Sequence, residues 1–190
     1  MAEHVNGMEL LLLAYYYGED SEGFMTYYDI IETPLGNAYV SGNEAALTGW
    51  HFEGQRYFDG VPADWQLRPE EPVLRAARRQ TERYFAGGLR EFDLPIEPAG
   101  TAFQRAVWEA LSATPYGEHT TYSQLAALID RPRAVRAVGT AVGRNPLCVV
   151  VPCHRVLGAD GGLAGYVAGL ERKRWLLDLE AAHEASLFEK

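Results

Sequence analysis

The stretch SQLAALIDRPRAVRAVGTAVG, residues 123–143, decides how the second half of this chain is read. Apolar residues recur at helical spacing on both sides of a polar break, Asp130-Arg131-Pro132. Ser123 is placed to cap a short helix over residues 124–129, and the break makes a turn. A second helix then runs over residues 133–142 and stops at Gly143. Two short helices joined by a tight turn, the second carrying Arg133 and Arg136, have the outline of a helix-turn-helix. Small helical domains contain such pairs for other reasons, so the outline alone does not specify a partner.

Working outward, Thr101 caps a preceding helix with Phe103, Val107, Ala110 and Leu111 on one face, ended by Pro115-Tyr116-Gly117. Downstream, Asn145-Pro146 marks a turn, and the apolar run 147–151 reads as a short buried strand that delivers Pro152-Cys153-His154-Arg155 at its end. Gly158, Gly161, Gly162 and Gly165 mark a tightly turning loop. A last helix over about 170–182 carries Leu170, Trp175 and Leu177 inward.

The first half reads as strands followed by a helix. Residues 24–31, 38–40 and 46–52 are strand candidates, with a turn signal at 33–37. Residues 72–85 place Val73, Leu74, Ala77, Tyr84 and Phe85 at helical spacings, and Gly87-Gly88 ends that helix. No chemistry is visible there. Two prolines and a glycine between 94 and 100 mark a boundary. The expected fold is α+β: an N-terminal extension of unassigned role (1–23), a small α/β domain (24–98) and a mostly helical domain with a helix-turn-helix (99–190).

Composition narrows the function classes. Hydrophobic residues make up 47% and aromatics 12% of the 190 residues, enough for a packed core. Two cysteines, Cys148 and Cys153, are too few for a disulfide framework or a multi-cysteine zinc cluster, so neither metal nor cofactor is expected. No apolar run approaches the roughly 20 residues that span a bilayer. Residues 8–17 are apolar but lack a basic leader and precede Glu19, Asp20 and Glu22, which argues against a secretory signal and for a cytoplasmic protein. The net charge is −9, unevenly spread: residues 1–100 hold 7 Arg/Lys against 17 Asp/Glu, and residues 101–190 hold 10 against 9. From Arg131 to Arg155 there are five arginines and no carboxylate. A nucleic-acid partner needs a local basic face rather than a basic total. A solvated arginine-bearing surface fits the composition equally well.

Cys153 is the residue with possible chemistry. The thiolate is the reactive form, and a free thiol with pKa ~8.5 is mostly protonated at neutral pH. His154 follows directly and can take the proton, directly or through one water; Glu180 on the last helix can orient it. A cysteine ending an apolar strand is just as well an inert core residue. Cys148, within the apolar run, reads as core.

The chain resembles the O6-alkylguanine-DNA alkyltransferases. The matching text is Phe103-Gln104 with Val107-Trp108, Pro115-Tyr116-Gly117-Glu118, Thr121-Tyr122-Ser123-Gln124-Leu125-Ala126, Ala134-Val135-Arg136-Ala137-Val138-Gly139, Asn145-Pro146, Val151-Pro152-Cys153-His154-Arg155-Val156 and Gly162-Leu163 with Gly165-Tyr166. In the first half only Thr33-Pro34-Leu35-Gly36 and Leu47-Thr48-Gly49 are similar.

That resemblance implies repair of O6-methylguanine, and of O4-methylthymine as a further lesion, in double-stranded DNA by irreversible alkyl transfer to Cys153, one lesion per protein. The damaged base is flipped out of the stack. Arg136 matches the arginine that fills the gap, on a helix that enters the minor groove. Ala134, Ala137 and Gly139 match small residues that let its backbone approach. Tyr122 matches the tyrosine that rotates the nucleotide, Asn145 one that fixes the turn before the active-site segment, and His154 and Glu180 the base and its partner acid. Val156, Tyr166, Val167 and Ala168 line the implied guanine pocket. Val167 and Ala168 are bulkier than the family often has, which favours methyl over benzyl adducts. The acidic first half predicts that DNA contacts concentrate in the second half. A monomer without a membrane partner is expected. A binding-only relative would lack the cysteine, a plain helix-turn-helix regulator leaves residues 152–156 unexplained, and a cysteine hydrolase would turn over repeatedly.

Overall fold

The computed structural model describes residues 25–185. The extension 1–23 and the start of the first strand candidate at Phe24 lie outside them.

β1 (Tyr27–Thr33), β2 (Gly36–Gly42), β3 (Leu47–Phe52) and β4 (Gln66–Leu67) form one sheet in the order β3-β2-β1-β4. β1 and β2 are an antiparallel hairpin paired from Tyr27–Gly42 to Thr33–Gly36. Its turn is the expected Pro34-Leu35, closed by the Thr33 hydroxyl on Gly36 O at 2.6 Å. β4 was not anticipated: two residues carry no alternation to read, and they join the sheet only through parallel pairing with β1.

α1 (Pro72–Phe85) has the predicted bounds, with Pro at its first position and Gly87 at positive φ beyond its end. It buries Val73, Leu74, Ala77, Thr81 and Tyr84. Thr81 accepts from Trp50 Nε1 at 3.1 Å, and Arg78 pairs at 2.5 Å with Asp29, which β1 turns inward.

In the second half, α2 (Ala102–Ser112) starts in a reciprocal capping box between Thr101 and Gln104, and ends ahead of Pro115. β5 (Thr120–Thr121) leads into α3 (Tyr122–Leu128), followed by α4 (Val135–Val142). The cap of α3 is Thr121 rather than Ser123: its hydroxyl accepts from Gln124 N, and the Gln124 side chain returns the bond. Tyr122 is therefore the first residue of the helix. α4 begins two residues later than predicted, because Ala134 is its cap. Trp108 of α2 donates to Ala141 O of α4 at 2.8 Å, tying the pair to the core.

The run 147–151 is not a strand. Leu147 makes a single bridge to Trp50, and the chain then turns. Val149 has φ +70, and Val150 N donates back to Cys148 O at 2.8 Å, a γ-turn that β-branched residues rarely adopt. Pro152, at φ −80 and ψ 62, centres an inverse γ-turn closed by Cys153 N on Val151 O at 2.8 Å. Cys153–Arg155 then forms a 3-10 turn, and β6 (Val156–Leu157) pairs in parallel with β5.

α5 (Leu170–Ala185) faces inward differently from expectation. Leu170 is exposed, Trp175 and Leu177 are half-buried, and the buried positions among residues 170–183 are Lys173, Leu176 and Glu180. Two of these carry charge, so an apolar stripe could not have revealed the face.

The two halves meet along the outer edge of β3. Leu47 N donates to Pro95 O, Glu97 N to Leu47 O, Trp50 N to Pro146 O and Cys148 N to Trp50 O, all at 2.8–2.9 Å. The edge of the sheet thus sets the position of the segment that leads to Cys153.

Candidate active site

Asn145 holds the strained turn from inside. Its Oδ1 accepts from Leu147 N at 3.0 Å, and its Nδ2 donates to Val151 O at 2.9 Å and to Cys153 Sγ at 3.1 Å. Backbone in a sparsely populated region costs about 1–3 kcal/mol and persists where its surroundings over-determine it, as here.

Cys153 is 2% exposed. Its thiol is held below the ordinary value. The largest cause is a hydrogen bond from the Cys148 thiol; burial works against it, and Asn145 and the Lys173 ammonium add to the lowering. Cys148 is pushed well up by the same contact and by burial, so it stays a protonated donor. Asn145 Nδ2 reaches the Cys153 sulfur, whereas the Cys148 thiol lies 4.0 Å from Asn145 O. Cys148 is buried as expected, but it is not an apolar bystander.

His154 is fully buried, with Nε2 2.9 Å from Glu180 Oε1. An ionised carboxylate only accepts, so Nε2 carries the ring proton and Nδ1 keeps a lone pair. Nδ1 is buried with no hydrogen-bond partner among the described residues. Burial lowers the ring below its ordinary 6.5, so it is uncharged at neutral pH. His154 thus offers a basic nitrogen next in sequence to the thiol.

Glu180 also accepts from Tyr84 OH at 2.7 Å, from Arg155 Nη2 at 2.8 Å and Nε at 3.0 Å, and from Gly117 N at 3.1 Å. Burial pushes its carboxyl up, but hydrogen bonds and charge from His154 and Arg155 outweigh that and hold it well below the usual carboxylate range. So weak a base does not take the proton from His154; it fixes the ring's tautomer and direction. Arg155 spends its third nitrogen on Thr114 O at 2.6 Å. It is buried, so of the five arginines between 131 and 155 only Arg131, Arg133, Arg136 and Arg144 are exposed.

Lys173 was not foreseen. It is fully buried, with Nζ donating to Val156 O at 2.5 Å and Ala164 O at 2.6 Å, which ties the chain after Cys153 to the glycine loop. Burial pulls its ammonium down to about 8, so it remains mostly charged at neutral pH. Lys173→Met should leave both carbonyls unpaired, lowering stability in a urea melt by about 2 kcal/mol. Losing the positive field should also move the midpoint of Cys153 alkylation by iodoacetamide to higher pH.

A cleft of about 440 Å³ opens where α3, α4 and the glycine loop meet, lined by Tyr122, Arg136, Gly139, Tyr166 and Val167 among others. A Cβ on Gly139 would lie 3.7 Å from the Tyr122 ring, in ordinary contact, so glycine keeps the cleft wide there. Cys153 does not line the cleft, but burial of the Tyr122 and Tyr166 hydroxyls, with the Cys153 charge behind it, raises both.

Two family profiles match the chain. One, described as 6-O-methylguanine DNA methyltransferase, ribonuclease-like domain, covers residues 26–98; the other, the DNA binding domain of the same family, covers 102–182. The chain belongs to the 6-O-methylguanine DNA methyltransferase family.

Relatives within it include the methylated-DNA–protein-cysteine methyltransferase of Methanosarcina barkeri, 49% identical over 81% of this chain and 96% of that protein. The Haemophilus influenzae protein of the same name is 44% identical over 81% and 86%. The Mycobacterium tuberculosis OGT, solved in complex with DNA, superposes with a TM-score of 0.76 at 41% identity over 83% of this chain and 94% of that one.

Not every residue the family resemblance pointed to comes together in this methyltransferase. Asn145, Cys153, His154 and Glu180 form one connected buried set, and Tyr122, Arg136, Gly139, Tyr166 and Val167 share the cleft. Ala134 and Ala137 lie outside that cleft: Ala134 is half-buried beside Arg131 and Pro132, and Ala137 is exposed on α4. Val156 and Ala168 are buried and do not line it. Tyr84, Lys173 and Cys148 are the site residues that sequence reasoning missed. Only Lys173 and Glu180, seven apart on one helix face, gave a sign of it.

Proposed function

We propose that this chain repairs O6-methylguanine in duplex DNA by taking the methyl group onto Cys153. The observation that carries the reading is the buried Cys153 thiol, hydrogen-bonded by Asn145 and held below its ordinary value beside an uncharged His154 with a bare Nδ1. Family membership and the DNA-bound mycobacterial relative supply the substrate class.

In this reading Arg136 fills the stack as the base leaves it, with Ala134, Ala137 and Gly139 close to the groove. Tyr122 steers the nucleotide, and Tyr166, Val167, Ala168 and Val156 bound the guanine pocket. His154 takes the thiol proton. The Cys153 sulfur bonds to the methyl carbon as the carbon–O6 bond breaks, and guanine leaves with that electron pair and accepts a proton. The thioether has no easy reverse step, so each protein acts once. Methyl is preferred to benzyl because Val167 narrows the approach to a nearly sealed thiol. The protein acts as a cytoplasmic monomer, in domains 24–98 and 99–190.

Incubation with a duplex bearing O6-methylguanine, followed by intact-mass measurement, tests the reading. One CH2 gain per chain, mapped to Cys153, is expected; an unmodified mass with the DNA bound would overturn it. Arg136→Ala should slow repair of duplex on the order of a hundredfold while slowing transfer from the free base far less, since flipping costs a few kcal/mol only within a duplex. Equal losses on both substrates would remove the flipping role.

A further inference from the structure

The cleft has a wall that the helix pair does not supply. Arg56 and Tyr57, from the loop after β3, line it opposite the residues of the second half. The loop is firmly seated. Arg56 N donates to Val167 O at 3.1 Å, Gln55 is buried with its Oε1 on Phe52 N at 2.8 Å, and Phe58 stacks on His51 at 4.5 Å. Tyr57 sits at φ +67, a conformation unusual for an aromatic residue. Its half-exposed ring carries two guanidiniums, Arg56 at 4.7 Å and Arg144 at 4.0 Å, the latter just past the end of α4. Both arginines are exposed, and neither pairs with a carboxylate among the described residues.

Two guanidiniums on one ring repel each other and gain only modestly from the ring when solvated. The arrangement is satisfied by an anion that both can reach. On the rim of this cleft, and on a half of the molecule whose net charge is −10, that anion is one the docked substrate brings. We propose that Arg56 and Arg144, stacked on Tyr57, form a phosphodiester-binding rim that extends the DNA interface onto the sheet half of the molecule. The rim rests on the DNA reading of the cleft. It adds a contact on the first half to those expected to concentrate in the second. Arg56 has the planar fork that grips a phosphate through two parallel bonds.

The test is the salt dependence of binding to an unmodified duplex, read by fluorescence anisotropy, which needs no alkyl transfer. Arg56→Ala and Arg144→Ala should each lower the slope of log K against log salt by about 0.9, the release accompanying one phosphate contact. Arg56→Lys should keep the slope, since it keeps the charge, and Arg79→Ala, an exposed arginine on the outside of α1, should leave it unchanged. A wild-type slope in Arg56→Ala, or an equal fall in Arg79→Ala, would overturn the rim. A wild-type protein that binds no duplex would instead overturn the DNA reading beneath it. All three side chains are exposed, and matching thermal melts check that each variant is folded.

Discussion

A Cys153→Ser chain is expected to take up no methyl group from a damaged duplex, a loss on the order of 10⁴-fold or more, while still binding it. The environment that lowers the thiol consists of a hydrogen bond from Cys148, another from Asn145 and the field of Lys173. Together they favour the thiolate over the thiol against the opposing effect of burial. A hydroxyl is a far weaker acid, and the same three groups cannot ionise it. Serine also fits the space, so folding should survive and the thermal melt should match wild type. The measurement is a single-turnover assay with labelled methyl in the lesion, alongside anisotropy on the same duplex. Methyl uptake by the serine variant would place the acceptor elsewhere, with Cys148 the next residue to examine.

The second large effect concerns Glu180. Glu180→Ala removes the group on which His154, Tyr84, Arg155 and Gly117 N converge. It leaves the Arg155 charge buried and unpaired, which costs about 3–5 kcal/mol. That is a large share of the 5–15 kcal/mol typical of a whole domain, so the variant should unfold at much lower urea concentration and lose repair altogether. Glu180→Gln separates the two roles: it keeps the shape and some bonds, yet frees His154 from its fixed tautomer. The sign of the pH dependence follows. Glu180 is depressed in the fold, so its contribution is present above the ordinary carboxyl value of 4.5 and is lost as pH falls toward the folded value. His154 is also depressed, so below its ordinary 6.5 the unfolded chain binds the proton that the fold refuses. Both act in one direction: wild-type stability should fall steadily from about pH 6.5 into the acid range, and Glu180→Gln should flatten the lower part of that curve. An unchanged acid limb in Glu180→Gln would show that the carboxylate is not the group responsible.

Local signals were the ones sequence could express. The helix over 72–85 and the Thr101 cap depend on residues a few positions apart, and both stand as read. The run 147–151 failed because its β-branched residues favour a strand while Asn145, bonded at 147, 151 and 153, bends it into a turn. Ser123 and Thr121 are both fair caps, and only the reciprocal bond to Gln124 selects Thr121. The buried face of α5 was misjudged because Lys173 and Glu180 look like solvent-facing charges until their partners, Val156 O and Arg155, are in place. Tyr84 was read correctly as core, but its hydroxyl meets Glu180 across 96 positions of chain, a pairing no local pattern encodes. The family motifs carried Asn145 and Tyr122 to attention; chemistry at Cys153 reached only His154 and Glu180.

The outer edge of β3 is closed to strands of other chains. An unpaired strand edge is a template for addition of another chain. Here its amides and carbonyls are taken by Pro95, Glu97, Pro146 and Cys148. The segment leading to the reactive cysteine is therefore also the guard on the sheet. Any lesion in the second half that frees residues 146–148 uncovers β-structure with Leu47, Trp50 and Phe52 on it, and self-association between opened copies would compete with refolding.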